Sequence, residues 1–424
     1  MSAFVYKNNE LYTSEVSISS IATKIGTPFY CYNANYIIQQ FNFYKEAFAN
    51  VPNYLIAYAL KANSNQAIIK LLAKQGSGAD IVSLGELHRA YKAGIPSSKI
   101  IFSGVGKSQE EIDAALMANI GCFNIESKAE FELLQTRAKE LNKIAPISIR
   151  INPNIDAKTH PKIATGLASN KFGLEMSEAK ALYALAAKTP ELEILGVDVH
   201  IGSQICSLDP FDQAFALVAK FIAELQELNI YIKHVDIGGG LGIDYANTTS
   251  TEQIQKNITN YINLALRHFS NMGLKIICEP GRSIVGNSGI LVSKTIYKKQ
   301  SYDKNFIIID AAMNDLLRPA LYDAEQSIIA INEIKNTKKI IAEIVGPVCE
   351  TGDYIAQNRE VANLESGDLL GILGAGAYGA VMASSYNSRL LIPEILVQNN
   401  QWYVIRPRQT YKDLINLDKL PPWL

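Results

Sequence analysis

The chain has 424 residues, 48% of them hydrophobic and 19% charged, with a formal net charge of −1 at pH 7. This length is too great for one ordinary core and predicts two domains, while the charge gives no reason to expect a nucleic acid or an anionic membrane as partner. No apolar run approaches the roughly 20 residues that span a bilayer, and the first residues lack a secretory pattern, so neither a membrane span nor secretion is expected.

The cysteines and histidines show no pattern of a disulfide framework or a metal site. The five cysteines are odd in number, scattered and without a C-x-x-C pair, which favours a reducing, cytoplasmic location. The five histidines form no H-E-x-x-H or similar ligand spacing, so no metal is predicted. The cysteines are Cys31, Cys122, Cys206, Cys278 and Cys349.

The first 25 residues predict a hairpin and a short helix before Gly26. The hairpin pairs 4–6 with 11–12 around Asn8 and Asn9. From Thr27 to about Gly281, short apolar runs alternate with helical patterns, such as 110–117, 128–141, 177–187 and 209–228. The predicted strands are 54–60, 79–82, 100–103, 121–125, 146–151, 195–200, 231–237 and 274–279. Eight strand–helix units over about 250 residues predict a (β/α)8 TIM-like barrel, with a doubly wound open sheet as the alternative.

After Arg282 the pattern changes to strands with little helix between them. This pattern indicates a second, all-β domain, so the fold class is α/β with a C-terminal β-barrel-like domain. We therefore predict a barrel over residues 26–282 and an all-β domain over 283–424. The N-terminal segment 1–25 is expected to belong to the all-β domain. The predicted strands are 290–297, 306–310, 328–331, 339–345, 353–355, 368–373, 390–397 and 402–405.

Lys61 directly follows the first predicted barrel strand, whose residues are all apolar or aromatic. An amine beside apolar walls loses hydration and its pKa falls, which suits it to attack a carbonyl and form a Schiff base. By itself, this position is more typical of a lysine that extends from a strand end to water. The other residues at the strand ends favour the catalytic interpretation.

Barrel enzymes place their chemistry at the C-terminal ends of the strands. Three adjacent glycines after the seventh strand would let backbone N–H groups turn toward a phosphate. A lysine, a phosphate site and Glu279 on one rim suggest pyridoxal phosphate, whose ring nitrogen needs an acid beside it. His200 could lie flat on the ring, although a buried core histidine is the commoner case. The rim residues are Lys61, Asp80, Ser83, Arg150, Asn152, His200–Gln204, Gly238, Gly239, Gly240, Leu241, Gly242 and Glu279–Arg282.

Five motifs together resemble the pyridoxal-phosphate decarboxylases of the alanine-racemase-like fold: Tyr58–Asn63, Gly78–Ser83, His200–Gln204, the triple glycine and Glu279–Arg282. The resemblance implies that Lys61 binds the cofactor covalently, that His200 stacks on its ring and that Glu279 meets the ring nitrogen. It also implies further cofactor-binding residues, most of them at the phosphate: Asp80, Ser203, Gly238, Gly239, Gly240, Gly281 and Arg282.

Three stretches of the β-domain, Asp310–Tyr322, Gly346–Asp353 and Gly374–Gly379, resemble the diaminopimelate decarboxylase family. That family converts meso-2,6-diaminopimelate to L-lysine and CO2, the last step of lysine biosynthesis, and forms homodimers with shared active sites. Alanine replaces the family's usual glycine at Ala312, and threonine its usual serine at Thr351.

The resemblance also implies residue roles at the substrate. Arg282, Arg318 and Tyr322 would hold its distal carboxylate, and Glu350 its distal ammonium. Cys349 would be the proton donor at the decarboxylated carbon, and Tyr378 would lie by cofactor and substrate.

Two other functions remain open. Ornithine- or arginine-type decarboxylases share Lys61, His200 and Cys349, but their substrates do not call for Arg318. A non-catalytic decarboxylase-like regulator is the second alternative, although Lys61 and Cys349 are both present.

Two glycine-rich stretches resemble nucleotide-binding loops. Gly374–Gly379 matches G-x-G-x-x-G, but only 45 residues follow it, too few for the rest of a dinucleotide-binding sheet. Gly104–Ser108 resembles a phosphate loop, but the leading glycine of that motif would fall at Ile101, within a strand. Neither is taken as a nucleotide site.

Overall fold

The computed structural model describes residues 2–157, 159–163, 165–167, 170–333 and 338–424. The chain divides into two compact units. The barrel unit comprises Ile38–Ile243 and Glu252–Ile284, and the β unit comprises the chain up to Ile37, Asp244–Thr251 and Val285–Leu424. The domain boundaries expected from the sequence stay predictions, because a compact unit is not by itself a segment that folds alone.

The N-terminal segment forms the predicted hairpin with one further short strand. Strands β1 (Val5–Lys7), β2 (Glu10–Thr13) and β3 (Val16–Ser17) make an antiparallel sheet. Asn8 and Asn9 have φ values of 53° and 66°, the conformation that a tight hairpin turn requires. Helix α1 (Ile18–Ile25) begins after Ser17, whose side chain accepts the Ser20 N–H.

Eight parallel strands close into the predicted barrel, in the order β10-β11-β12-β5-β6-β7-β8-β9. The doubly wound alternative is therefore wrong. Along the chain, strand β4 (Phe29–Asn33) and helix α2 (Ala34–Ala47) follow α1 and precede the first barrel strand. The barrel strands are β5 (Tyr54–Ala59), β6 (Gly78–Ile81), β7 (Ile100–Phe102), β8 (Cys122–Ile125), β9 (Ala145–Arg150), β10 (Leu192–Asp198), β11 (His234–Asp236) and β12 (Lys275–Cys278).

Four of the barrel helices start where polar side chains cap them. Asn65, Ser83, Ser108 and Ser127 each accept a backbone N–H from the first turn of the following helix. Ser83, predicted at the rim, therefore has a structural role as a cap. The helices are α3 (Gln66–Lys74), α4 (Leu84–Ala93), α5 (Gln109–Met117), α6 (Lys128–Glu140), α7 (Met176–Ala186), α8 (Asp209–Glu227) and α9 (Thr251–Phe269).

The β unit contains a mixed sheet in the order β17-β16-β14-β13-β4-β19-β20, while β18 pairs with both β13 and β15. Its strands are β13 (Gly289–Ser301), β14 (Lys304–Ile309), β15 (Ile328–Ala330), β16 (Ile340–Val345), β17 (Tyr354–Val361), β18 (Leu369–Ile372), β19 (Glu394–Gln398) and β20 (Gln401–Arg406). Its short helices are α11 (Arg318–Tyr322) and α12 (Tyr411–Ile415). The short helix α10 (Arg282–Val285) precedes β13, and its first three residues belong to the barrel unit. Every predicted strand of this region is present.

Strand β4 was not predicted. It pairs antiparallel with β13 and parallel with β19, so it belongs to the sheet of the β unit. Within the described ranges, none of the helices combines the length and hydropathy that crossing a bilayer requires.

The loop after β7 is held by a buried lysine. The Lys107 amine donates to the carbonyl oxygens of Gly104 and Asn124, at 2.8 and 2.7 Å, and to Glu130 Oε1 at 2.7 Å. Both side chains of the Lys107–Glu130 ion pair are buried. The three bonds use all three ammonium hydrogens, so the lysine of Gly104–Ser108 has a structural role although the stretch resembles a phosphate loop.

Replacing Lys107 should destabilise the fold strongly. In Lys107→Met the carboxylate of Glu130 stays buried without its cation, a loss of about 3–5 kcal/mol in the free energy of unfolding. The matched control is Lys128→Met, because Lys128 forms an exposed i,i+4 pair with Glu132 and should change stability by less than about 0.5 kcal/mol. Urea unfolding would measure both variants, and equal small losses would contradict the structural role.

Candidate active site

Lys61 lies in a single helical turn, residues 60–62, directly after β5. Its amine forms an ion pair with Asp80 of β6, a carboxylate that is fully buried, while about a third of the lysine side chain remains exposed. Strands β5 and β6 are parallel neighbours, so their C-terminal ends bring the two residues together. The amine is thus held at the open end of the barrel by a fixed carboxylate.

The glycines after β11 allow backbone groups to approach closely. Gly238 and Gly240 have φ values of 63° and 105°, where L side chains are strained. A Cβ on Gly239 would collide with the carbonyl oxygen of Glu279, and one on Gly240 with that of Gly202. Other residues therefore cannot replace these glycines without moving the backbone of the neighbouring loops.

His200, two residues after β10, is held as a neutral ring. Its Nδ1 accepts the Gly239 N–H at 3.1 Å, so that nitrogen carries no proton. Burial, followed by the charges of Arg150 and Lys61, holds the pKa of His200 well below its ordinary value. The imidazole is therefore a neutral, flat group at the barrel's end at physiological pH.

Three buried acids meet beside these groups. Asp198 and Asp236 are register partners on β10 and β11, and Glu279 follows β12. Carboxylate oxygens of the three lie within 4.8 Å of one another. Burial, then the neighbouring carboxylates, raises the pKa of Glu279 well above its ordinary value, and burial raises the pKa of Asp236 to about 7. Like charges at this spacing cannot all ionise, so the cluster retains a proton or requires a cation.

Arg150 supplies a cation to this cluster from β9. Its register partner on β10 is Asp198, and its Nε lies 3.9 Å from Asp198 Oδ2. Its Nη1 donates to Glu126 Oε1 at 3.0 Å, and its Nη2 donates to the His200 carbonyl at 3.2 Å. One buried guanidinium thus compensates two acids and also fixes the backbone of His200.

Arg282 and Ser203 also meet within the barrel unit. Arg282 is buried, and its Nη2 donates to Ser203 Oγ at 3.0 Å. Gly281 packs against the turn of Lys61, since a Cβ on it would lie 2.9 Å from the Ala62 Cβ. The barrel unit therefore gathers ten of the predicted site residues, which are Lys61, Asp80, His200, Ser203, Gly238, Gly239, Gly240, Glu279, Gly281 and Arg282.

The β unit carries the remaining predicted residues on three loops. Strands β14 and β16 are parallel, with Ile308 opposite Val345, so the loops after them leave the same edge of the sheet. Asp353 joins these loops, because its carboxylate accepts the N–H groups of Met313 at 2.6 Å and Val348 at 2.8 Å. The remaining residues are Arg318 and Tyr322 at the two ends of α11, Cys349 and Glu350 after β16, and Tyr378 after β18.

Cys349 and Glu350 are exposed in the single chain. The Cys349 N–H donates to Asn387 Oδ1 at 2.7 Å, and the Tyr386 hydroxyl donates to Glu350 Oε2 at 3.1 Å. Arg318, in contrast, is only 5% exposed, and its guanidinium carbon lies 4.5 Å from the centre of the Tyr245 ring. The loops of the β unit therefore expose a thiol and a carboxylate, whereas its Arg318 is buried.

Residues 34–286 match the family described as "Pyridoxal-dependent decarboxylase, pyridoxal binding domain". The chain is 44% identical over 419 residues to the diaminopimelate decarboxylase of Haemophilus influenzae, covering 99% of both sequences. This chain belongs to the diaminopimelate decarboxylase family. Among solved structures, the Helicobacter pylori family member complexed with L-lysine is 45% identical, with a TM-score of 0.89 over 94% of this chain and 98% of that one. The M. jannaschii member in co-complex with L-lysine is 39% identical, with a TM-score of 0.93 over 100% and 99%.

The residues of the barrel unit fit the pyridoxal phosphate that this family uses. Glu279 Oε1 is buried, and no N–H group of the described residues donates to it, so it can take a protonated ring nitrogen as partner. The positive φ values of Gly238 and Gly240 turn backbone groups in directions that other residues rarely adopt, as a loop that holds a phosphate requires. Lys61 offers an amine at the same rim. This donor set therefore suits an aromatic cation that also carries a phosphate and an aldehyde.

Asp198, Asp236 and Glu126 were not predicted as site residues. Asp236 closes the seventh barrel strand, so the strand-end rule used for Glu279 could have identified it. Asp198 is the register partner of both Arg150 and Asp236, which the chain order alone does not show. Glu126 follows β8 and accepts from Arg150, the Gly104 N–H and the Gly173 N–H.

The raised pKa of Asp236 predicts a pH-dependent stability. Between the ordinary value of 3.8 and about 7, the folded protein binds a proton here that the unfolded chain has lost, so stability falls as pH rises through this window. Asp236→Asn removes this titration and keeps an acceptor for the Gly238 N–H. From pH 5 to pH 8, the cofactor-free variant should therefore lose about 3–5 °C less in unfolding temperature than the wild type.

Differential scanning calorimetry at pH 5, 6, 7 and 8 would measure this difference. Asp413→Asn is the control, because hydrogen bonds from Thr410 lower the pKa of this exposed carboxyl and take its titration out of the window. Parallel curves for the wild type and Asp236→Asn would contradict the assignment.

Proposed function

We propose that this chain is the pyridoxal-phosphate-dependent carboxy-lyase that converts meso-2,6-diaminopimelate to L-lysine and CO2, the last step of lysine biosynthesis. The full-length similarity to diaminopimelate decarboxylases carries the proposal. Two relatives with L-lysine bound support an amino acid substrate, since losing one carboxyl group from diaminopimelate leaves lysine. Five cysteines without a disulfide support a reducing, cytoplasmic location.

The barrel unit would hold the cofactor. Bound pyridoxal phosphate supplies an electron sink for the pair of electrons that remains when CO2 leaves. Lys61 would be its covalent attachment, and Glu279 would keep a proton on the ring nitrogen. His200, being neutral, can lie against the ring without opposing a positive charge there. Ser203, Arg282 and the glycines at 238–240 would hold the phosphate, with Asp80 orienting the lysine.

The β unit would select the substrate and complete the reaction. A guanidinium binds a carboxylate through two parallel N–H bonds, so Arg318, with Tyr322, suits the distal carboxylate. Glu350 would take the distal ammonium, and the Cys349 thiol would donate a proton to the carbon that loses CO2. Arg282 and Tyr378 complete this proposed set.

Ornithine- or arginine-type decarboxylation is the alternative function. Such substrates carry no distal carboxylate for Arg318 to bind, and the buried guanidinium would oppose their distal cation. The buried arginine therefore favours diaminopimelate.

Carbon dioxide release from purified protein loaded with cofactor tests the function. We expect release from meso-diaminopimelate and at least about 100-fold less from L-lysine, L-ornithine and L-arginine, because charged partners discriminate by several kcal/mol. Lys61→Ala is the control and should abolish release. Faster release from ornithine or arginine would indicate the alternative enzyme. A protein that binds the cofactor but releases nothing would be a non-catalytic homologue.

We further propose that two chains form a homodimer in which each completes the other's site. Cys349 and Glu350 are exposed in one chain, whereas a proton donor to carbon needs a site from which water is excluded. A two-fold dimer would cover the same loops on both subunits.

Complementation between inactive subunits tests the shared site. Lys61→Ala and Cys349→Ala subunits should each be nearly inactive, while their mixture should regain up to about a quarter of wild-type activity. Random pairing makes half of the dimers mixed, and each mixed dimer has one intact site. Native mass spectrometry would verify that the subunits exchange. Exchange without regained activity would show that each chain carries its own complete site.

A further inference from the structure

We infer that Tyr245 is a positioning residue for Arg318 and thereby sets the preference for a substrate with a distal carboxylate, an inference that rests on the proposed function of Arg318. Tyr245 follows the glycine loop of the barrel in sequence, but its segment, Asp244–Thr251, belongs to the β unit, as Arg318 does. The guanidinium carbon lies 4.5 Å from the centre of the ring. At this distance a buried guanidinium and an aromatic face attract each other strongly.

The Tyr245 segment is fixed by its own hydrogen bonds. The Asp244 carboxylate accepts the N–H groups of Ala246, Thr248 and Thr249 at 2.8–3.0 Å. Asn287 Nδ2 donates to the Asp244 carbonyl at 3.0 Å, which ties the segment to the turn before β13. The ring therefore extends from a rigid turn.

Gly374 makes room for the ring on another side. Its φ of 65° is unfavourable for other residues, and a Cβ there would lie 2.8 Å from Tyr245 Cδ1. The ring thus contacts Gly374 and Arg318 at once. This contact gives the first glycine of Gly374–Gly379 a physical role that its resemblance to a nucleotide-binding loop did not explain.

An aromatic ring over a guanidinium restricts how the arginine can bind its ligand. The ring occupies the side of the guanidinium that faces it, so the N–H groups directed away from the ring remain for a carboxylate. Without the ring, Arg318 gains rotamers that it must lose again when the carboxylate binds. Tyr245 should therefore affect ligands with a distal carboxylate and leave those without one nearly unchanged.

L-Lysine and cadaverine form the matched ligand pair, because they differ only by that carboxylate. Their inhibition constants would be measured against diaminopimelate decarboxylation by the holoenzyme, together with kcat, KM and cofactor affinity. In Tyr245→Leu we expect lysine to bind about 5- to 30-fold more weakly, which corresponds to about 1–2 kcal/mol, and cadaverine to change less than about 2-fold. KM for diaminopimelate should rise more than kcat falls, and cofactor affinity should stay within about 2-fold.

Tyr245→Phe keeps the aromatic face and should restore lysine binding to within about 3-fold of the wild type. Tyr403→Leu controls for the loss of a tyrosine, because Tyr403 is 76% exposed in the same unit. If Tyr245→Leu does not fold by circular dichroism, Tyr245→Met replaces it, since methionine fills a similar space without a ring.

A double-mutant cycle tests whether Tyr245 acts through Arg318. In the Arg318→Lys background, Tyr245→Leu should change lysine binding by less than about 2-fold, because the planar partner is gone. Equal losses of lysine and cadaverine, or the same loss of lysine in both backgrounds, would overturn the inference and make Tyr245 a packing residue only.

The wild-type enzyme separates this inference from the proposed function. A wild type that releases no CO2 from diaminopimelate, or that binds cadaverine as well as lysine, would refute the proposed function, and the inference with it. If the wild type passes both tests but Tyr245→Leu keeps the wild-type selectivity for lysine over cadaverine, only the role of Tyr245 is refuted.

Discussion

The site depends on five buried carboxyls that two cations cannot fully neutralise. Asp80 pairs with Lys61, and Asp198 lies near Arg150, which also serves Glu126. Asp236 and Glu279 remain, and burial raises the pKa of both. Taking such groups out of water costs several kcal/mol each unless a partner compensates them. This pair therefore keeps a proton unless a further cation binds beside Glu279.

The same arrangement explains the state of the neighbouring residues. A protonated His200 would add a third cation beside Lys61 and Arg150, and the Gly239 N–H already occupies its Nδ1. The ring is thus neutral because of its surroundings. The glycines at 238–240 have no side chain, and this lets their backbone lie against the carbonyl groups of adjacent loops. Charge, tautomer and space are all set within the barrel unit before any ligand binds.

Much of the barrel unit could be predicted, because in a closed parallel barrel the C-terminal ends of all the strands lie on the same rim. Once eight strands were identified, each strand end had to lie on one rim, so Lys61, His200 and Glu279 were expected together. Strand β4 could not be assigned in this way. Its apolar sequence resembles that of a barrel strand, and only its long-range pairing with β13 and β19 shows the sheet to which it belongs. Local patterning reveals a strand but not its neighbours.

Tyr245 shows the same limit at the level of one side chain. Its sequence position, just after the glycine loop, suggests a residue of the barrel rim, whereas its contacts are with Arg318 and Gly374 of the β unit. No spacing rule links these three positions. They meet because the Asp244 turn ties its segment to Asn287, which precedes β13.

The division between the two units has a chemical consequence. The carboxyl cluster and Lys61 lie on barrel strands and their adjoining turns, where strand pairing fixes the backbone from which each side chain extends. Arg318 and Cys349 lie on loops that leave one edge of the β sheet, because β14 and β16 run parallel. Changes in those loops can therefore alter the charge or length of the accepted substrate and leave the cluster intact. The constraint that fixes the cofactor's chemistry does not fix the substrate, so the roles proposed for Arg318 and Tyr245 are separable by experiment from those proposed for Lys61 and Glu279.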